Sequence, residues 1–231
     1  MKKIISTTLL CALSIFTFAQ TKIGVKAGVT FPTMSSSSTA EIFDGPPEYQ
    51  FKSNVSFYIG GTIDFAITQK FAIQPGLTLV GKGGKTEVYE SNFEPNNLSV
   101  FQGTYKLSTM YLEIPVNAVF NFDLGPGKIF FGAGPYYAIA ISGKIKKNGT
   151  AIQGNSSATT TISSSRDVEF GSSKDYRRGD FGLNFLAGYQ LKNGFNIHAG
   201  YGFGLSSIDN DGFDESSLKN CVLSVGIGFS L

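Results

Sequence analysis

The chain reads as all-β: an eight-stranded antiparallel up-and-down transmembrane β-barrel with four long outer loops and three short periplasmic turns. Three observations lead there. Eight runs alternate apolar with small or polar residues at a period of two, which puts one set on each face of a strand. The connections between these runs alternate long and short, the pattern of barrels that cross an outer membrane. Only 16% of the residues are charged, against about a quarter in soluble domains, while Gly (28) and Phe (21) are abundant. Such a composition suits strands with one face in lipid and the other in a crowded lumen.

The last run, Cys221 to Leu231, shows the logic most plainly. Cys221, Leu223, Val225, Ile227, Phe229 and Leu231 share one face, and mostly small or polar residues share the other. A strand this apolar with a free edge would invite aggregation, and barrel closure removes edges. The other staves are expected at residues 21–31 (ended by Pro32), 55–67, 71–82, 107–122, 128–141, 180–191 and 195–206. Pro75 inside the third run predicts a bulge or local distortion, because proline has no N–H to give the ladder. Short turns are expected at 68–70, 123–127 and 192–194, and long loops at 32–54, 83–106, 142–178 and 207–219, with a hairpin at Asn148-Gly149. Each stave is long enough for a tilted crossing, which needs about 9–11 residues. The outward aromatics sort into two bands, Phe65, Phe71, Phe120, Phe122, Tyr189, Phe195 and Phe229 near the short turns and Phe31, Phe57, Tyr137, Phe181 and Phe203 near the long loops.

Residues 1–19 are expected to be a cleaved signal peptide, leaving 20–231 as one barrel domain. Met1-Lys2-Lys3 is a positive start, Ile4 to Phe18 is an apolar stretch short for a span, and Thr17-Phe18-Ala19 offers small residues at the cleavage positions. An uncleaved anchor is the alternative. Removing Lys2 and Lys3 from 19 basic residues leaves 17 against 17 acidic ones, so a neutral chain gives no electrostatic case for nucleic acid. Cys11 falls in the removed segment, which leaves Cys221 alone and no disulfide framework.

An eight-stranded lumen is just wide enough for side chains to fill it, so an open diffusion pore is not expected. The polar network predicted there comprises Lys26, Asp64, Lys82, Glu113, Asn117, Asn184 and His198, within a wider inward set that includes Tyr58, Gln74, Tyr111, Tyr136, Asp180 and Gln190. Buried charges must pair. Lys26 is expected to pair with Asp64, and Glu113 with Lys82 or another lumen cation. The plain reading is a plug holding the barrel round; the sharper one is a gate or small-ligand site.

Chemistry has little support. His198 is the sole histidine, so a lipid-modifying barrel enzyme would depend on it. No Cys/His cluster suggests zinc. Asp209, Asp211 and Asp214 resemble part of a calcium loop, but position twelve from Asp209 is Asn220 and not Glu, which favours a solvated acidic loop. No cofactor and no catalytic residue are expected.

Tyr111-Leu112-Glu113-Ile114-Pro115-Val116, Gly132-Ala133-Gly134-Pro135-Tyr136, Asp180-Phe181-Gly182-Leu183-Asn184, Ala187-Gly188-Tyr189 and the opening Lys22 to Gly28 resemble the PorT-like outer membrane β-barrel proteins. The resemblance spans the mature chain and implies a small eight-stranded outer-membrane barrel, the architecture of OmpA- and OmpX-type barrels. The family's name comes from a component linked to protein secretion, and most members have no assigned activity.

The expected partners are outer-membrane lipid, the barrel-assembly machinery during insertion, and a protein or small ligand at the long loops. The expected role is structural or surface-binding, through the extracellular loops. Three alternatives stay open: a barrel subunit of a secretion apparatus, a lipid-modifying enzyme, and a soluble periplasmic lipocalin-like binder whose apolar face would point inward.

Overall fold

In a computed structural model, the described residues are 21–38, 51–94, 97–153, 159–210 and 216–231. The expected signal peptide, most of the first long loop, and Asp211 and Asp214 of the acidic loop lie outside them. Nine strands form one antiparallel sheet: β1 (Thr21–Ser38), β2 (Ser56–Ala66), β3 (Phe71–Glu94), β4 (Asn97–Leu124), β5 (Gly127–Gln153), β6 (Thr159–Asp167), β7 (Gly179–Leu191), β8 (Phe195–Gly204) and β9 (Ser216–Ser230). Their order is β4-β3-β2-β1-β9-β8-β7-β5-β6, with a further β4–β5 pairing.

The even eight-stranded up-and-down barrel with four long outer loops is therefore corrected. Among the described residues there are nine strands, of 9 to 28 residues, and the additional one, β6, pairs with β5 alone. The sheet does not close into an evenly round barrel. Two segments expected as loops supply the difference. Residues 83–106 continue β3 and β4 as one long hairpin, paired from Gly83↔Ser108 to Glu94↔Asn97. Residues 142–153 prolong β5, and β6 folds back on it. Asn148 and Gly149 sit inside β5, opposite Ser163 and Ile162, and make no turn. These stretches continue beyond the apolar outer band, so neither face needs to be apolar. Their alternation is mixed on both sides, while Thr, Val, Tyr and Ile still favour extended backbone.

One proline differs from expectation and the other does not. Pro32 does not end β1, which runs on to Ser38 beside β9. Its carbonyl accepts from the Asn54 N–H, on the side where pairing with β2 has already stopped at Thr30. The nitrogen faces that same side, so the missing N–H costs no ladder bond. Pro75 interrupts the ladders as expected, with pairing to β2 lapsing between Gly76 and Ile73 and pairing to β4 between Pro75 and Thr78, while the register is kept; a register shift falls at Met110/Tyr111 against β5. The short turns are as read: Gly125 (φ 57°) turns β4 into β5 and Gly194 (φ 90°) turns β7 into β8.

Large apolar side chains cover the outside, among them Ile23, Val25, Phe57, Ile59, Leu77, Ile114, Phe131, Tyr137, Phe185, Ile197, Val225 and Ile227, all exposed. A band that continuous is untenable in water and is the surface a bilayer covers. This overturns the lipocalin-like arrangement, because the apolar face points out. Inside, Tyr58, Val80, Tyr111, Tyr136, Ala138 and Ala140 pack together. A second cluster of Met34, Leu107, Val168 and Ile208, with Phe51, Phe170 and Tyr176 against it, caps the end where the long hairpins stand. No helix is long and apolar enough to cross a membrane among the described residues.

Candidate functional site

The lumen is built from the inward positions of the strands, two residues apart along each. Lys82 on β3 sits at its centre. Its Nζ lies 2.8 Å from Glu113 Oε2 on β4 and 3.0 Å from Asp180 Oδ2 on β7. Lys82 and Asp180 are 2% and 0% exposed, so these charges are held by each other and not by water. The rest of the shell completes them. Asn184 Nδ2 donates to Glu113 Oε1 (2.9 Å), Asn220 Nδ2 to Asp180 Oδ2 (3.1 Å) and the Tyr136 hydroxyl to Asp180 Oδ1 (3.3 Å). The ammonium also lies over the Tyr136 ring, 4.1 Å from its centroid, and 5.2 Å from that of Tyr111. This layer spans the lumen from β3 and β4 to β7 and β9.

Beside it lies a cavity of about 130 Å³, lined in part by Lys26, Thr78, Asn117 and His198. On one wall the Tyr58 hydroxyl is 2.6 Å from His198 Nε2, and Nδ1 is 2.8 Å from Asn196 Oδ1. With an amide oxygen facing it, Nδ1 carries the proton, and the phenol donates to Nε2. Both ring nitrogens are thereby engaged. Thr78 Oγ1 and Asn117 Oδ1 are buried without a protein partner, so this chamber is one that water must solvate.

Of the network read from the sequence, Lys82, Glu113 and Asn184 meet in one cluster, while Asn117 and His198 line the adjoining cavity. Lys26 and Asp64 do not pair. Register places Asp64 opposite Lys22 and Lys26 opposite Gly60, four residues away, or roughly 13 Å along the strand. Asp64 instead accepts from Gln74 Nε2 at 2.6 Å. Lys26 turns towards Tyr58, 6.0 Å from its ring centroid. The partner that sequence reasoning missed is Asp180. It was legible as an inward residue, but its strand is not a neighbour of β3, and no local spacing reports a contact across a lumen. Asp209 stands apart from this network, in the segment after β8, and its N–H donates to Ser207 Oγ. No group of His, Cys, Asp and Glu suited to a metal ion occurs among the described residues.

Residues 18–210 match the family described as outer membrane protein beta-barrel domain. The chain belongs to this family. It is an outer-membrane β-barrel protein, a transmembrane component of the cell envelope. The match is to the general family and not specifically to its PorT-like members. Among solved structures, the chain is similar to Ail, the attachment invasion locus protein of Yersinia pestis, at 13% identity, with 91% of this chain and 98% of that one covered and a TM-score of 0.38. It is similar to Neisserial surface protein A at 14% identity (90% and 96% covered, TM-score 0.39). It is also similar to OprG from Pseudomonas aeruginosa at 10% identity (92% and 97% covered, TM-score 0.45). No curated protein matches the chain.

Proposed function

We propose that this protein is a plugged outer-membrane barrel that acts at the cell surface through its outer hairpins, after export and removal of residues 1–19. One observation carries the reading. The Lys82–Glu113–Asp180 layer, backed by Tyr111 and Tyr136, crosses the lumen from wall to wall at one level, while the β3–β4 and β5–β6 hairpins extend beyond the lipid-facing band. A blocked interior leaves the hairpins as the parts free to meet another molecule. Between them lies a basin of about 740 Å³ lined by Met34, Phe51, Val88, Tyr105, Leu107 and Leu218 among others, an apolar seat for a surface partner.

The reading is non-enzymatic. His198 is spanned by Tyr58 and Asn196 and has neither a serine nor a carboxylate on its ring nitrogens. His198→Ala is therefore expected to leave surface binding intact and to abolish no lipid chemistry. The stretch from Tyr111 to Val116 keeps a PorT-like secretion subunit as the second reading, which co-purification with secretion components would favour.

Two measurements test the proposal. In planar bilayers the wild-type protein should give no steady conductance, and a stable open channel would refute the plug. A photo-crosslinking side chain at Tyr89, exposed on the β3–β4 hairpin, should capture a surface molecule in intact cells. An adduct made from the same side chain at Ile152, exposed on the β5–β6 hairpin, should disappear when residues 86–105 are replaced by Asn-Gly. Failure to capture anything from either hairpin would remove the surface role.

A further inference from the structure

Strand register sets three lysines side by side on the outside of the molecule. Lys85 on β3 pairs with Lys106 on β4, and Lys106 pairs with Lys146 on β5. Directly paired residues point to the same side of a sheet. That side is the outer one, because it continues the column Leu77, Ile114 and Tyr137, then Leu79, Leu112 and Ile139. Like charges directly opposite each other destabilise a ladder, and the acid nearest to Lys85, Glu87 two residues along β3, feels its charge but is bonded first to Lys52. The acids nearby are taken: Glu87 pairs with Lys52 at 2.6 Å and Asp167 with Lys144 at 3.6 Å. No ion pair involves Lys85, Lys106 or Lys146 among the described residues.

Height settles what such a row faces. On β4 the outward apolar column runs from Phe122, beside Ile129, up to Met110. Those twelve residues at ~3.3 Å each and a tilt of ~40° span roughly 30 Å, the hydrocarbon thickness of a bilayer. Lys106 lies four residues further, its backbone about 10 Å above the band and just past a headgroup layer roughly 5–8 Å thick. Lysine stems reach back along the strand and place the ammonium among the headgroups.

We propose that Lys85, Lys106 and Lys146 form a binding site for the phosphate-bearing headgroups of the membrane lipid around the barrel, fixing the protein's depth in the leaflet that its long hairpins face. The anion is the partner that the ladder lacks. Each lysine near an anionic surface is worth about a fivefold preference for charged over neutral lipid.

The test is the folded-to-unfolded band shift on heating, read for full-length protein refolded in phosphatidylcholine vesicles and in vesicles of phosphatidylcholine with phosphatidylglycerol. The wild type should hold its folded band several degrees higher in the anionic vesicles, and added salt should remove the gain. The variant K85Q/K106Q/K146Q should lose it, and K85R/K106R/K146R should keep it. If the glutamine variant misfolds, K106Q alone, at the centre of the row, should lose about a third of the gain. A glutamine variant with the full wild-type gain would overturn the proposal. A gain reproduced in neutral vesicles by inorganic phosphate would overturn the lipid as ligand.

Discussion

Lys82 and Asp180, 98 positions apart in the chain, meet 3.0 Å apart with almost no exposure to solvent. Because β3 and β7 are not neighbours in the sheet, this contact ties opposite walls of the lumen together. Removing the cation would leave Glu113 and Asp180 facing each other in a dry layer. Breaking a buried pair from one side costs about 3–5 kcal/mol, whereas replacing a whole cluster with fitted apolar groups can be neutral. Lys82→Met should therefore unfold at markedly lower urea concentration. The triple change Lys82→Met, Glu113→Gln, Asp180→Asn should recover much of the loss. A single variant as stable as wild type would mean that water already solvates the layer.

A second contact depends on what is missing from β1 and β9. The Tyr58 phenol reaches His198 by lying across Gly28 and Gly226, and a Cβ at Gly226 would collide with the hydroxyl. Tyr58→Phe should cost about 1 kcal/mol, because water in the adjoining cavity can replace the lost donor. Gly226→Val should cost more, since it expels the whole ring. Urea unfolding of the two variants checks the order, and equal losses would mean that the ring is not wedged as described.

What could be read from the chain follows from where a face is forced to be apolar. Between Phe71 and Leu79 lipid dictates every second residue, and the staves and short turns there were legible. Above Lys82 lipid no longer decides. Thr86-Glu87-Val88-Tyr89 has no apolar face, so its strand character was hidden although its β-branched and aromatic residues were a signal. Lumen residues were legible by parity, which put Glu113, Asn184 and Asp180 inside. Which of them touch depends on register and on contacts across the barrel: Asp64 fell four residues from Lys26 for the first reason, and Asp180 was missed for the second.

The cap should yield independently of the barrel. Ile208, 1% exposed, packs with Met34, Leu107 and Val168 where the segments after β6 and β8 cross the outer end. Ile208→Ala should cost about 2–5 kcal/mol of local packing. Because the ladders below are untouched, the folded gel band should survive at room temperature while proteolysis within 168–178 accelerates. Loss of the folded band instead would show that cap and barrel form one cooperative unit.

The same cap segment carries a titration. Asp175 Oδ2 accepts from Arg166 Nη1 at 2.6 Å and from the Glu169 N–H at 2.9 Å. The Arg166 guanidinium first, and the Glu169 N–H second, hold the Asp175 carboxyl below its ordinary value of 3.8. A carboxyl depressed on folding contributes order that is fully present above its ordinary value and is lost as pH falls through the lower, folded one. The Glu169 amide resonance, followed in micelles from neutral pH downwards, should inflect below 3.8. Asp175→Asn should remove the inflection and loosen 168–178 already at neutral pH, because an amide accepts from Arg166 without the charge. An inflection at or above 3.8 would mean that Arg166 and Asp175 are not held together in solution.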